Sequence, residues 1–156
     1  MKIGIITDTH DLHGVLNKAI EIFREHNVEY ILHAGDITSP STAHALASID
    51  HVKFIGVFGN CDFDKSSLEG ILRGQQGEIH RGAYKGEIQD KKLLMAHEPR
   101  NLGDMPITGD YDLIVYGHTH IQDIHRQGNT LIINPGQSWA VILDLDNMEY
   151  ETIYLD

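Results

Sequence analysis

Short apolar runs that stop abruptly at polar residues recur along the chain. Lys2-Ile3-Gly4-Ile5-Ile6-Thr7 stops at Asp8-Thr9-His10, Tyr30-Ile31-Leu32 leads to Gly35-Asp36, Phe54-Ile55-Gly56-Val57-Phe58 stops at Gly59-Asn60, and Leu113-Ile114-Val115-Tyr116 stops at Gly117-His118-Thr119-His120. Runs this short and this continuously apolar predict strands buried on both faces. The spacing predicts strands over 2–7, 29–33 and 52–58. Between them it predicts a helix over 13–26, with Leu16, Ile20 and Phe23 on one face, and a weaker helix over 40–49 with Ser39 as N-cap and Pro40 in the first turn. This opening half reads βαβαβ, which implies parallel strands with helices packed outside. No element is read between 59 and 75.

After residue 75 the pattern changes to short strands punctuated by turn residues: 78–80, 84–89, 92–96, 113–116, 121–126, 130–134, 140–145 and 149–155. Hairpins are expected at Arg81-Gly82-Ala83, Gln127-Gly128-Asn129 and Asp146-Asn147. Together these predict a second, mainly antiparallel set of strands. The segment 98–110 carries Pro99, Gly103, Pro106 and Gly109, which argues against a stable helix there. No internal repeat is present, and 156 residues is a single-domain length, so the expectation is one domain over 1–156.

The residues at the strand ends carry the chemistry. In an extended segment side chains alternate faces, which would point His118 and His120 the same way, and Asp8 and His10 likewise. Any one of these segments is explained by ordinary turn chemistry, since Asp and Asn favour turns and Gly supplies positive φ. That explanation accounts poorly for all four together. Loops at the carboxyl ends of sheet strands are where α/β proteins gather polar groups into one crevice. Imidazole, carboxylate and amide oxygen collected there form a mixed N/O donor set suited to Mn, Fe, Ni or Zn.

In order, the motifs Asp8-x-His10, Gly35-Asp36, Gly59-Asn60-Cys61-Asp62, His97, Gly117-His118-Thr119-His120 and Asn134-Pro135-Gly136 span nearly the whole chain. Their sequence resembles that of the calcineurin-like metallophosphoesterases, within them the small single-domain phosphodiesterase branch. The resemblance implies an α/β fold of two mixed β-sheets packed as a sandwich and flanked by helices. It also implies a dinuclear metal centre, with Asp8, His10, Asp36 and His120 on one divalent ion and Asp36, Asn60, His97 and His118 on the other, Asp36 bridging. The implied reaction is hydrolysis of a small phosphodiester by a metal-bridging hydroxide. Manganese or nickel is the expected ion, with zinc and iron as alternatives. Asp36, Asn60 and Cys61 are the candidate catalytic residues.

Two departures from the family pattern matter. Cys61 stands where the wider superfamily has a histidine that serves the leaving group, and it could donate a proton, ionise beside a metal or simply fill space. His97-Glu98-Pro99 lacks the second histidine of the family's His-Gly-His stretch, and no arginine clamp follows Asn134-Pro135-Gly136. Both losses weigh against a monoester substrate. Relatives commonly have a helix after the residue matching His97, so its loss would leave a mobile loop beside the site. His33 could bond a metal ligand or be structural. Trp139 could stack on an aromatic group or pack in the core. His13, His26, His44, His51, His80 and His125 read as solvated.

The formal net charge of −11 opposes binding to bulk nucleic acid, whose affinity depends on Lys and Arg neutralising phosphates. A single cysteine excludes an intrachain disulfide, and no run has signal-peptide or membrane-spanning length, so a cytoplasmic protein without membrane association is expected. A homodimer through strand or hairpin surfaces fits a short acidic chain. Two further readings stay open: a protein-binding scaffold of the same fold, as in the retromer subunit, and a metal-dependent phosphomonoesterase.

Overall fold

The computed structural model describes the backbone of residues 1–156 and every side chain except that of Ile107. Strand β1 (Lys2–Ile6), helix α1 (His13–Glu25), β2 (Tyr30–His33), α2 (Pro40–Ala47) and β3 (Lys53–Val57) form the expected βαβαβ unit, with β1, β2 and β3 parallel neighbours. Ser39 caps α2, its hydroxyl accepting the Thr42 N–H. A third helix, α3 (Lys65–Gly74), then leads to β4 (Glu78–His80), parallel to β3. Apolar periodicity alone does not reveal α3. Gly70 and Gly74 dilute its helical propensity, and Leu68 and Leu72 are the only side chains it buries. Its formation depends on packing and on the Asp64 cap, which accepts the Ser67 N–H.

The remaining strands are β5 (Tyr84–Ile88), β6 (Lys91–Met95), β7 (Leu113–Val115), β8 (Asp123–Gln127), β9 (Thr130–Asn134), β10 (Trp139–Asp144) and β11 (Glu149–Tyr154). They do not form one antiparallel set. The first sheet has the order β11-β10-β1-β2-β3-β4 and the second β5-β6-β7-β9-β8, so β10 and β11 extend the first sheet antiparallel to β1. In the second sheet β6, β7 and β9 run parallel, because these buried central strands are joined by crossovers rather than hairpins. Hairpins do occur at Gly128-Asn129 and over residues 145–148. Arg81-Gly82-Ala83 is not one. It carries the chain from β4 in the first sheet to β5 in the second, and the hairpin lies instead at Gln89-Asp90.

The segment after His97 also differs from expectation. It forms a 3-10 turn over Pro99–Leu102 and one α-helical turn, α4 (Met105–Thr108). Pro99 and Pro106 sit in the first turns, where a missing N–H costs no bond. Leu102 and Met105 cover Leu94, Ile114 and Ile132 on the outer face of the second sheet.

Two sheets pack face to face through Ile3, Ile5, Leu32, Ile55 and Val57 on one side and Leu93, Met95, Val115 and Ile133 on the other. The outer face of the first sheet is covered by α1, α2 and α3 through Leu16, Phe23, Leu46, Leu68 and Leu72. Each buried Leu or Phe stabilises this arrangement by about 1.5–3 kcal/mol. The carboxyl ends of β1, β2, β3, β6 and β7 consequently open at one edge of the sandwich.

Candidate metal centre

Asp8 and His10 follow β1, Asp36 follows β2, Asn60 and Cys61 follow β3, His97 follows β6, and His118 and His120 follow β7. Backbone bonds tie these loops together: Asp8 N–H to Gly35 C=O at 2.9 Å, His10 N–H to Asp36 C=O at 3.0 Å, and Gly117 N–H to His97 C=O at 3.0 Å. Ligating atoms of Asp8, His10, Asp36 and His120 lie within 4.8 Å of one another. On the other side of Asp36, His97 Nε2 is 3.4 Å from Asp36 Oδ2 and 2.9 Å from Asn60 Oδ1, and His118 Nδ1 is 3.2 Å from that same amide oxygen. His10 packs edge-on to His120, and His97 edge-on to His118. The seven donors therefore form two neighbouring groups that meet at Asp36.

His118 and His120 do not project together from an extended strand. Both have positive φ, 72° and 63°, within a bend, and this turns one imidazole toward Asn60 and the other toward Asp8. Asp8, His10 and Asp36 are likewise left-handed. Such backbone costs of order 1–3 kcal/mol per non-glycine residue, which surrounding bonds must offset.

The donor set fits a divalent cation. Asp8 Oδ2 accepts the Thr7 hydroxyl at 2.7 Å and the His118 N–H at 3.0 Å, while Asp8 Oδ1 and His10 Nε2 are buried without a hydrogen-bond partner among the described residues. Orphaned buried acceptors of this kind are costly unless something electropositive completes them. His10 Nε2 is 3.4 Å from Asp36 Oδ2, too poorly aligned for a hydrogen bond. Glycine is required where the loops converge. A Cβ on Gly59 would lie 2.1 Å from Asp36 Oδ1, and one on Gly117 would lie 2.1 Å from the Thr7 hydroxyl.

Burial disfavours the His97 imidazolium, but the Asp36 carboxylate and the Ala34 carbonyl outweigh it and raise the His97 pKa. With Nδ1–H donated to Ala34 C=O at 2.7 Å, Nε2 is the nitrogen left to face Asp36 and Asn60. Burial alone would raise the Asp36 pKa; the His97 hydrogen bond and the Cys61 N–H hold it well below the usual carboxylate range. Burial and then the Asp36 carboxylate push the Cys61 thiol up.

Supporting residues carry no role in the sequence reading. The Asp62 carboxylate accepts three backbone N–H groups, from Gly59 at 2.7 Å, Thr38 at 2.6 Å and Asp36 at 3.0 Å, and so fixes two donor loops to each other. Asn134 donates to Gly117 C=O and the Thr119 hydroxyl and accepts from Gly136 N–H, holding the His118/His120 bend. Their signal was their place inside the Gly-Asn-Cys-Asp and Asn-Pro-Gly motifs. Fully buried His33 bonds Thr9 and Gly35, each next to a donor. Trp139 stacks on Tyr154 with centroids 4.9 Å apart. His26, His80 and His125 pair with Glu151, Glu78 and Asp123, away from the donor groups.

The calcineurin-like phosphoesterase superfamily domain model matches residues 1–149. A phosphodiesterase of Methanocaldococcus jannaschii is 34% identical over the whole of both chains, and the phosphodiesterase YfcE of Escherichia coli is 24% identical over 87% of this chain and 78% of its own. The solved structure of an archaeal phosphodiesterase superposes with a TM-score of 0.92 at 33% identity, covering 99% of this chain and 100% of that one. Sequence along nearly its full length and the two-sheet fold agree that the chain belongs to the calcineurin-like phosphoesterase superfamily.

Proposed function

We propose that this protein is a divalent-metal-dependent phosphodiesterase, acting as one unit over 1–156 on a small phosphodiester. The observation that carries the reading is the pair of donor groups sharing Asp36: Asp8, His10 and His120 on one side, Asn60, His97 and His118 on the other. These residues would hold divalent cations, which would supply Lewis acidity toward water and the phosphoryl group. Manganese or nickel suits this mixed N/O set, with zinc or iron as alternatives. Asn60 contributes an oxygen without adding negative charge, which keeps the site attractive to an anionic ester. Asp62 and Asn134 hold the donors in place before substrate arrives, and such preorganisation is worth more than flexible donors would be. A complete donor set favours an enzyme over a scaffold of the same fold.

The test is a panel of bis(p-nitrophenyl) phosphate and p-nitrophenyl phosphate, assayed after chelation and after adding Mn, Ni, Zn or Mg. Chelation should abolish diester hydrolysis, and Mn or Ni should restore it. The diester should be preferred, because the chain lacks an arginine after Asn134-Pro135-Gly136 and a second histidine after His97 to meet the extra charge of a monoester dianion. Full activity after chelation would sink the proposal, and a monoester preference would move it to a phosphatase.

A further inference from the structure

Among the described residues, three of the five most exposed large apolar side chains sit on loops that carry the donors. Leu12 is 42% exposed, Phe63 87% and Ile121 70%. Leu12 follows His10 by two residues, Phe63 follows Asn60 by three and Ile121 follows His120 by one. With successive Cα atoms about 3.8 Å apart, their Cα atoms lie no farther than about 8, 11 and 4 Å from those of the donors. They therefore flank the donors at three different strand ends, those of β1, β3 and β7.

Local structure explains none of the three. Leu12 is the N-cap of α1 and makes no capping bond, at a position where Ser, Thr, Asp or Asn would satisfy a free N–H. Phe63 immediately precedes the N-cap of α3, where an apolar side chain ordinarily packs against the fourth helical residue, here Leu68. Instead Phe63 stands in solvent while Leu68 is fully buried elsewhere. Ile121 occupies a bend, a place that favours small polar residues. Side chains that break local rules around a site point to a function that needs them.

The charges on the same loops narrow the ligand. Residues 8–13, 59–64 and 117–122 contain no Lys or Arg but do carry the exposed carboxylates Asp11 and Asp64. Lys65 gives its Nζ to the Asp62 carbonyl at 2.6 Å, and Arg100 is paired with Glu98 at 2.7 Å. No Lys or Arg on the three loops themselves awaits a polyanionic ester, and the nearest ammonium, Lys65, is turned toward the Asp62 carbonyl and the Phe58 ring. We infer that Leu12, Phe63 and Ile121 form an apolar rim that receives an apolar or aromatic ester group, so that the substrate is a monoanionic phosphodiester carrying at least one such group. This inference rests on the phosphodiesterase reading above.

Methyl p-nitrophenyl phosphate and 1-naphthyl p-nitrophenyl phosphate share a leaving group and differ in the group that stays on phosphorus. Metal-loaded protein should prefer the naphthyl ester in kcat/KM by about tenfold or more, the scale on which apolar pockets discriminate. In the Phe63→Ser/Ile121→Ser double variant that preference should fall to about threefold or less. Tyr150→Ser serves as the control. Tyr150 is also exposed, but it pairs with Leu143 at the far end of the first sheet and should leave the ratio unchanged. Equal rates on the two esters, or a ratio unaltered in the double variant, would overturn the rim. So would a dimer, seen by sedimentation, that the double variant breaks without altering the ratio, since the rim would then be an interface between copies. If neither ester is hydrolysed with any metal, it is the phosphodiesterase reading that fails. Fluorescence titration with 1-naphthyl methyl phosphate then still tests the rim, which stands if the double variant binds it more weakly than wild type and falls if the affinities match.

Discussion

His33 should make the metal-free protein acid-sensitive in a defined window. The ring is completely buried, accepts the Gly35 N–H on Nδ1 at 3.1 Å and so presents Nε2–H to the Thr9 hydroxyl at 2.9 Å. Burial, with a smaller contribution from His97, pushes its pKa down to about 3, against 6.5 in the unfolded chain. Below pH 6.5 the unfolded chain therefore takes up a proton that the folded one refuses, and stability falls with pH at a slope approaching about 1.4 kcal/mol per unit. Between pH 6.5 and 5 the loss integrates to roughly 1.5–2 kcal/mol. Neither of two neighbours confuses this window. The raised pKa of His97 gives stability that is complete below 6.5 and is lost only as pH rises above it, and the lowered pKa of Asp36 gives stability lost only on acidification below its unfolded value of 3.8. Urea unfolding of chelated protein from pH 4.5 to 7.5, followed by far-UV circular dichroism, reads the slope. His33→Gln keeps a donor for Thr9 but cannot titrate. It should be less stable at pH 7 by about 1–2 kcal/mol, yet its stability should change less with pH, closing the gap toward pH 5. Parallel curves for the two proteins would refute the reasoning.

Gly59→Ala should cost metal binding and at least about a hundredfold in rate, because its Cβ must displace the Asp36 carboxylate; metal content and kcat measured together check this. Asp62→Ala leaves three backbone N–H groups, two of them buried, without an acceptor and should lower stability by about 3 kcal/mol in a denaturation experiment. Asp36→Ala should lower metal content more than His120→Ala does, since Asp36 stands between the two donor groups whereas His120 belongs to one, as metal analysis after dialysis would show. Cys61→His should speed alkyl diesters, which need a proton on the leaving group, more than aryl diesters; equal effects on both classes would argue against a role for this position in leaving-group protonation.

The first half of the fold was legible because β1, β2 and β3 are continuous apolar runs and α1 has a clean buried stripe at Leu16, Ile20 and Phe23. Periodicity failed where packing decides. Nothing in Tyr84–Ile88 says that it leaves the sheet of its predecessor β4, and nothing in Trp139–Asp144 says that it returns to pair with β1. Those choices follow from which face of each sheet still needs covering, a property of the whole chain. Helix α3 was invisible for a related reason: two buried leucines and an Asp cap are weak local signals that become decisive only once the first sheet offers a face to cover.

At the site the sequence disclosed which residues gather but not how they are aimed. Alternation along an extended strand would have pointed His118 and His120 the same way, whereas the left-handed turns at both residues aim one at Asn60 and the other at Asp8. Five of the seven donors, Asp8, His10, Asp36, His118 and His120, are non-glycine residues at positive φ, a conformation few side chains adopt without compensation. The compensation is visible in Asp62, Asn134 and Thr7, whose polar atoms take up backbone groups or a carboxylate oxygen that these turns would otherwise leave unpaired. The strained backbone also explains why Gly59 and Gly117 stand where they do. Loops bent this sharply bring neighbouring chains within 2–3 Å of where a Cβ would sit, so only glycine lets the donor groups close around Asp36.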